Sequence, residues 1–246
     1  ITDNTITLSS GFTVATEIVI LDVTGLKVNG GGYTMSGGYA PDAWGAPIAG
    51  SSRIFYVSNS AEITISNLVL TNGYSDAASY GNQFGGAMYI GSGVTLVMNG
   101  CTFKNSLSVA GYGGALNLGR DAGTTGITVA LTSCSFTGNS VLTNGYGGGL
   151  FIGAGVIVDI TDCEFTSNVG AYNGGGIAQY LQSTATLTRV TFTSNSAAYL
   201  GGGFYTNGPA TAVSYLTDCT FTSNTATTGG RGGGVSLVII AFSLFL

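Results

Sequence analysis

Apolar positions return along this chain in one phrase: an apolar residue, two spacers, Cys or another apolar residue, one spacer, then Phe or another apolar residue. It reads Ile65-x-x-Leu68-x-Leu70, Met98-x-x-Cys101-x-Phe103, Leu131-x-x-Cys134-x-Phe136, Ile160-x-x-Cys163-x-Phe165, Leu187-x-x-Val190-x-Phe192 and Leu216-x-x-Cys219-x-Phe221. A fainter copy, Val23-x-x-Leu26-x-Val28, precedes them. Positions two apart face the same way on a strand, so the Cys and Phe columns point inward together, and the three-residue step ahead of them predicts a corner. Aligned on Leu26, Leu68, Cys101, Cys134, Cys163, Val190 and Cys219, the steps are 42, 33, 33, 29, 27 and 29 residues. Self-similarity at this period predicts a stacked solenoid, here of three sides. No apolar stripe at helical spacing runs far, and Gly interrupts each candidate window.

Two more phrases alternate with the first. Gly85-Gly86-Ala87-Met88, Gly113-Gly114-Ala115-Leu116, Gly147-Gly148-Gly149-Leu150, Gly174-Gly175-Gly176-Ile177, Gly201-Gly202-Gly203-Phe204 and Gly232-Gly233-Gly234-Val235 predict a tight corner, where positive φ and close backbone approach both call for glycine. After each Phe comes Asn: Asn139, Asn168, Asn195 and Asn224, with Asn105 following Phe103 one residue early. A side-chain amide at a turn can bond to the coils on either side, so these predict an asparagine ladder.

Composition narrows the functional classes. Only 7% of residues are charged, against about a quarter in ordinary proteins, and mean hydropathy is +0.40, which excludes a disordered chain. Net charge is −5 and no basic stripe appears, so nucleic acid is not an expected partner. Histidine is absent, which removes the commonest general base and zinc ligand together.

The pairing of Phe-x-x-Asn with Gly-Gly-(Ala/Gly)-apolar resembles the polymorphic outer-membrane-protein repeats, a family of right-handed parallel β-helices on surface proteins. The resemblance covers about 63–235 and implies a secreted, surface-displayed adhesive or structural β-helix; it does not imply an active site. The chain departs from that family's best-known members in having no ten-residue alternating segments after Gly234, as a translocator barrel would require. The expected fold is an all-β, single-stranded right-handed parallel β-helix of about seven to eight coils in one domain, 1–246. It divides into an N-terminal coil at 1–38, an inserted loop at 39–52, regular coils over 53–234 and an apolar strand or cap at 235–246.

A carbohydrate-active β-helix is the competing reading, because polysaccharide cleavage calls for paired carboxyls and Asp159, Asp162 and Glu164 form the densest acidic group. The residue before the Cys column reads Asn67, Gly100, Ser133, Asp162, Arg189, Asp218, which predicts a surface ion-pair stack instead. Cys101, Cys134, Cys163 and Cys219 lack the spacing of a metal or redox motif and are expected as buried fillers of one column, with Val190 in the vacant slot. Neighbouring members could bridge, so their oxidation state stays open. Phe103, Phe136, Phe165, Phe192 and Phe221 are the second inward ladder. No catalytic, cofactor or metal residue is expected.

Outward from them lie Thr102 and Lys104, Ser135 and Thr137, Glu164 and Thr166, Thr191 and Thr193, Thr220 and Thr222. Glu164 and Lys104 break the regularity an ice-binding array would need, and no N-glycan acceptor occurs, so O-linked sugars are the modification these residues offer. The apolar stretches Ile18–Leu21 and Leu237–Phe242 lack polar caps, which suggests ends covered by folded-over strands or by head-to-tail association into a fibre. The run Val235–Leu246 falls short of the roughly 20 residues of a membrane helix. It is expected as a cap, an inter-subunit strand or the start of an anchor. The chain lacks an initiator Met, as expected of a start after a removed leader or within a longer protein. The insertion Tyr39–Ser52, with Pro41, Trp44 and Pro47, is the expected contact loop. Together these predict a non-enzymatic extracellular or cell-surface protein that meets a surface or glycan partner.

Overall fold

The computed structural model describes residues 4–40, 51–76, 84–119, 124–180, 182–207, 212–228 and 230–238. The chain winds into a parallel β-solenoid without helix among these residues. Three sheets hold eight strands each and a fourth holds six, every pairing parallel. One coil runs through Ile177–Tyr180, Thr184–Thr188, Thr191–Thr193 and Ser196–Ala197, and the next begins at Phe204. Six coils carry all four strands, with partial coils before and after, close to the seven or eight expected. The fourth strand is only two residues long, too short for a period-2 pattern to reveal. It turns the expected three-sided section into a four-sided one.

Register puts like residues above one another. Ile6, Val28, Ile65, Met98, Leu131, Ile160, Leu187 and Leu216 form one inward column. Phe12, Met35, Leu70, Phe103, Phe136, Phe165, Phe192 and Phe221 form another. The fainter early copy is out of register: Leu26 pairs with Ile63 in a sheet interior, not with Leu68 beyond the corner. Extra residues at Gly30–Gly32 shift the frame, and Met35 takes the Phe slot.

The glycine corner divides its labour between two positions. Gly174 has φ +67°, a conformation that strains any residue with a Cβ. Gly175 is there for space: an added Cβ would meet the carbonyl of Gly202 and the backbone of Ser196, both one coil on. Both obstacles are main chain and cannot swing aside. Gly175→Ala is therefore expected to destabilise by about 1–3 kcal/mol or more, while an Ala at outward Thr186 changes little. Urea unfolding of the two variants checks this; equal midpoints would refute the close-approach account.

The insertion leaves the coil between two pinned points, the Ser52 N–H bonding to the Gly37 carbonyl at 2.8 Å and the Tyr39 N–H to the Asn72 carbonyl at 2.8 Å. Its stretch 41–50, with Pro41, Trp44 and Pro47, lies outside the described residues, as does 239–246 of the apolar C-terminal run. Ile18–Leu21 is not the first strand. Thr5–Thr7 and Phe12–Thr13 stand before it, with Ile6 52% and Phe12 44% exposed, so no described strand folds over this end.

Candidate functional site

The recurrent polar residue of the repeat faces inward. The Asn139 side-chain amide donates to Asn168 Oδ1 at 3.0 Å, that of Asn168 to Asn195 Oδ1 at 2.9 Å, and that of Asn195 to Asn224 Oδ1 at 2.9 Å. Each Oδ1 also accepts the backbone N–H of the preceding rung. Each amide further donates to a Phe carbonyl of the preceding coil, as Asn168 does to Phe136 at 2.9 Å. The first rung differs from expectation. Asn105 sits at the exposed corner with φ 53°, and Ser106 takes the inward slot, its hydroxyl accepting the Gly73 N–H at 3.2 Å. Spacing from Phe fixes the slot, and Asn105 is one residue short of it.

Cys101, Cys134 and Cys163 are buried and Cys219 half-buried, all as free thiols. Their Sγ–H groups donate to carbonyls, Cys163 to Thr161 at 3.2 Å and Cys134 to Thr132 at 3.4 Å. The hydrogen bond to the Cys134 sulfur, then burial, pushes the Cys101 thiol above its ordinary range, and burial raises Cys219. The hydrogen bond with Cys134 lowers the Cys163 thiol instead, against its burial, and at 1% exposure it is enclosed like its neighbours. Enclosed thiols, protonated where burial raises them, are poor nucleophiles and poor metal ligands. The phenyl rings of Phe103, Phe136, Phe165, Phe192 and Phe221 stack with centroids 4.6–5.2 Å apart.

The three acids stand on separate surfaces. Asp159 points outward from one sheet, Glu164 outward from the next, and Asp162 occupies the left-handed corner between them at φ 54°. Arg189 lies one coil on, its Nε 2.6 Å from Asp162 Oδ1 and its Nη2 2.9 Å from Oδ2. That fork holds the Asp162 carboxyl below its ordinary value of 3.8. An acid whose folded affinity for protons is depressed stabilises the fold above its unfolded value and loses that contribution as pH falls. The urea midpoints of wild type and Asp162→Asn are therefore expected to differ near neutrality and converge below pH 3.8. A gap that persists in acid would count against the pairing. Among the described residues no group of three or more His, Cys, Asp or Glu could hold a metal ion. On the outward Ser/Thr face, Ser135 Oγ donates to Thr102 Oγ1 at 3.2 Å.

An aromatic row outside the coil has no counterpart in the sequence phrases. Tyr56, Tyr89, Phe84, Tyr112, Tyr146, Tyr172 and Tyr199 follow one another with centroids 4.5–6.3 Å apart. Phe151 and Tyr205 pack beneath the row on the sheet. Burial pushes the Tyr205 phenol up to about 12 and raises Tyr146 too, where the hydrogen bond with Tyr180 adds to it. At one end the Arg53 guanidinium, 4% exposed and paired with Glu17 at 2.8 Å, lies 5.4 Å from the Tyr56 ring centre and 5.6 Å from that of Tyr89. A signal was present at three positions, the aromatic residue directly before Gly85, Gly113 and Gly147. Asn173, Leu200 and Arg231 break the column, and the row continues through Tyr172 and Tyr199 instead.

Residues 189–207 match the family model described as the Chlamydia polymorphic membrane protein repeat. That stretch holds Phe192, Asn195 and Gly201-Gly202-Gly203-Phe204, one copy each of the ladder and corner phrases. The chain thus carries a repeat of this type on a parallel β-solenoid. No curated protein and no solved structure matches it. Among the described residues no helix is long and apolar enough to cross a membrane.

Proposed function

We propose that the chain is a secreted, non-enzymatic β-helical scaffold displayed at a cell surface, structural or adhesive in role. One observation carries the reading: the repeat's recurrent polar side chain is consumed inside the coil, each Asn amide bonding to the next rung and to a Phe carbonyl. The acids that polysaccharide cleavage would need stand on separate outward surfaces, one of them neutralised by Arg189. Matching a surface-protein repeat at 189–207 supports the location. The test incubates the chain with acidic and neutral polysaccharides and, separately, with cells and immobilised glycans. Binding without cleavage is expected. Cleavage that disappears when Asp159, Asp162 and Glu164 become Asn would establish the carbohydrate-active alternative.

A specific feature favours end-to-end association as the mode of assembly. Exposed Ile6 and Phe12 head the two inward columns whose far members are Leu216 and Phe221, so among the described residues the two ends carry matching apolar columns and unpaired strand edges. A heterologous contact of this kind extends without closing. The apparent molar mass from light scattering should rise with concentration in the wild type and not in Phe12→Asp; a monomer at all concentrations would sink this mode while leaving the scaffold reading intact.

A further inference from the structure

We infer that Tyr172 and Tyr199 form a site of oxidative coupling, at which a one-electron oxidant joins their phenol rings by a carbon–carbon bond and staples adjacent coils. The pair comes from successive coils held by a hydrogen bond from the Tyr199 N–H to the Tyr172 carbonyl at 2.9 Å. Their ring centroids are 4.5 Å apart with planes at 41°, so a small change in ring tilt brings ortho carbons together. They are 37% and 41% exposed, open to an oxidant and to water that takes up the phenol proton.

Each phenol gives up one electron and one proton. The two radicals pair at the carbons ortho to their hydroxyls, and shift of the ortho hydrogens to the oxygens restores both aromatic rings. The two electrons and two protons reduce one hydrogen peroxide, acting through a haem peroxidase, to two waters.

The rest of the row directs oxidation toward this pair. A radical formed at Tyr112 can pass to Tyr146 and on to Tyr172 across ring contacts of 5.4 and 5.5 Å. Tyr146 is half-buried and desolvated, so its proton is hard to release and the radical does not settle there. At the opposite end the Arg53 cation lies over both Tyr56 and Tyr89 and opposes removal of an electron from either. Tyr33 and Tyr215, also exposed, have no ring neighbour among the described residues. The inference does not depend on the proposed function.

The experiment treats dilute full-length chain with hydrogen peroxide and a haem peroxidase. It then reads dityrosine fluorescence, mobility on a denaturing gel and the masses of digested peptides. The expected product is a monomer in which the Tyr172 and Tyr199 peptides are joined with loss of two hydrogen atoms. Tyr172→Phe and Tyr199→Phe keep the ring contact and should abolish the product, while Tyr215→Phe leaves its yield unchanged. Wild-type yield in either Phe variant at 172 or 199, coupling mapped to Tyr39–Tyr74 or Tyr56–Tyr89, covalent dimers in place of the internal link, or no dityrosine in the wild type would each overturn it.

Discussion

Replacing Asn168 by alanine is expected to lower stability by about 2–5 kcal/mol, because it strands main-chain groups that have nowhere else to turn. Asn168 is fully buried. Its Oδ1 accepts the Asn139 N–H at 3.0 Å, and its amide donates to the Phe136 carbonyl at 2.9 Å. Both partners lie inside the coil, where water cannot replace the lost bonds, and an unmet buried group costs about 1–3 kcal/mol. Asn168→Ser is the informative companion. Ser106 fills this slot naturally and accepts one N–H with its hydroxyl, so Ser should recover the acceptor bond without reaching the Phe136 carbonyl. The expected order of urea midpoints is wild type, then Ser, then Ala. Ala indistinguishable from wild type would mean that the ladder contributes nothing to stability.

Phe165→Ala is the second large effect, about 3–5 kcal/mol for emptying a ring-sized space in a closed core. Phe165 is fully buried, and its ring lies 4.6 Å from Phe136 and 5.2 Å from Phe192. The coils above and below are fixed in register by parallel pairing, so they cannot slide in to fill the gap. Phe165→Leu should cost only about 1–1.5 kcal/mol, since Leu70 occupies the same column two coils before Phe136. Thermal unfolding of the pair checks the contrast. Equal losses would point to ring stacking, not volume, as the source of stability. Because the Phe165 carbonyl accepts the Asn195 amide at 2.8 Å, Phe165→Ala and Asn195→Ala should not add.

What the residues disclosed in advance was whatever repeats at fixed spacing. The Phe column, the Asn ladder from Asn139 to Asn224 and the Gly-Gly corner each hold one offset within the coil, so their alignment brings stacked partners together. Misreadings arose where that offset changed. Leu26 fits the apolar spacing of the corner phrase as well as that of a plain strand, because both place apolar residues two apart, and only pairing with Ile63 separates the two. Asn105 carried the right residue type one position early, and the inward slot went to Ser106. The tyrosine row was illegible for the opposite reason. Its members change offset midway, from the residue before the glycines at Tyr112 and Tyr146 to one place earlier at Tyr172 and Tyr199, so no sequence column contains them. For the acids, residue type and proximity in sequence suggested a cluster, whereas the corner between Thr161 and Glu164 turns them onto different faces.

The change of rung from Asn to Ser to Gly toward the N-terminus makes this molecule mechanically one-sided. From Asn139 to Asn224 a rung ties to its neighbours by side-chain amides, whereas Ser106 meets Gly73 through a single hydroxyl. Under tension applied to the two ends of the solenoid, coils should detach first from the N-terminal side, and the amide-bolted half should yield last and at higher force. Single-molecule pulling would read this as an ordered sequence of steps, reversed or scrambled if the ladder bears no load.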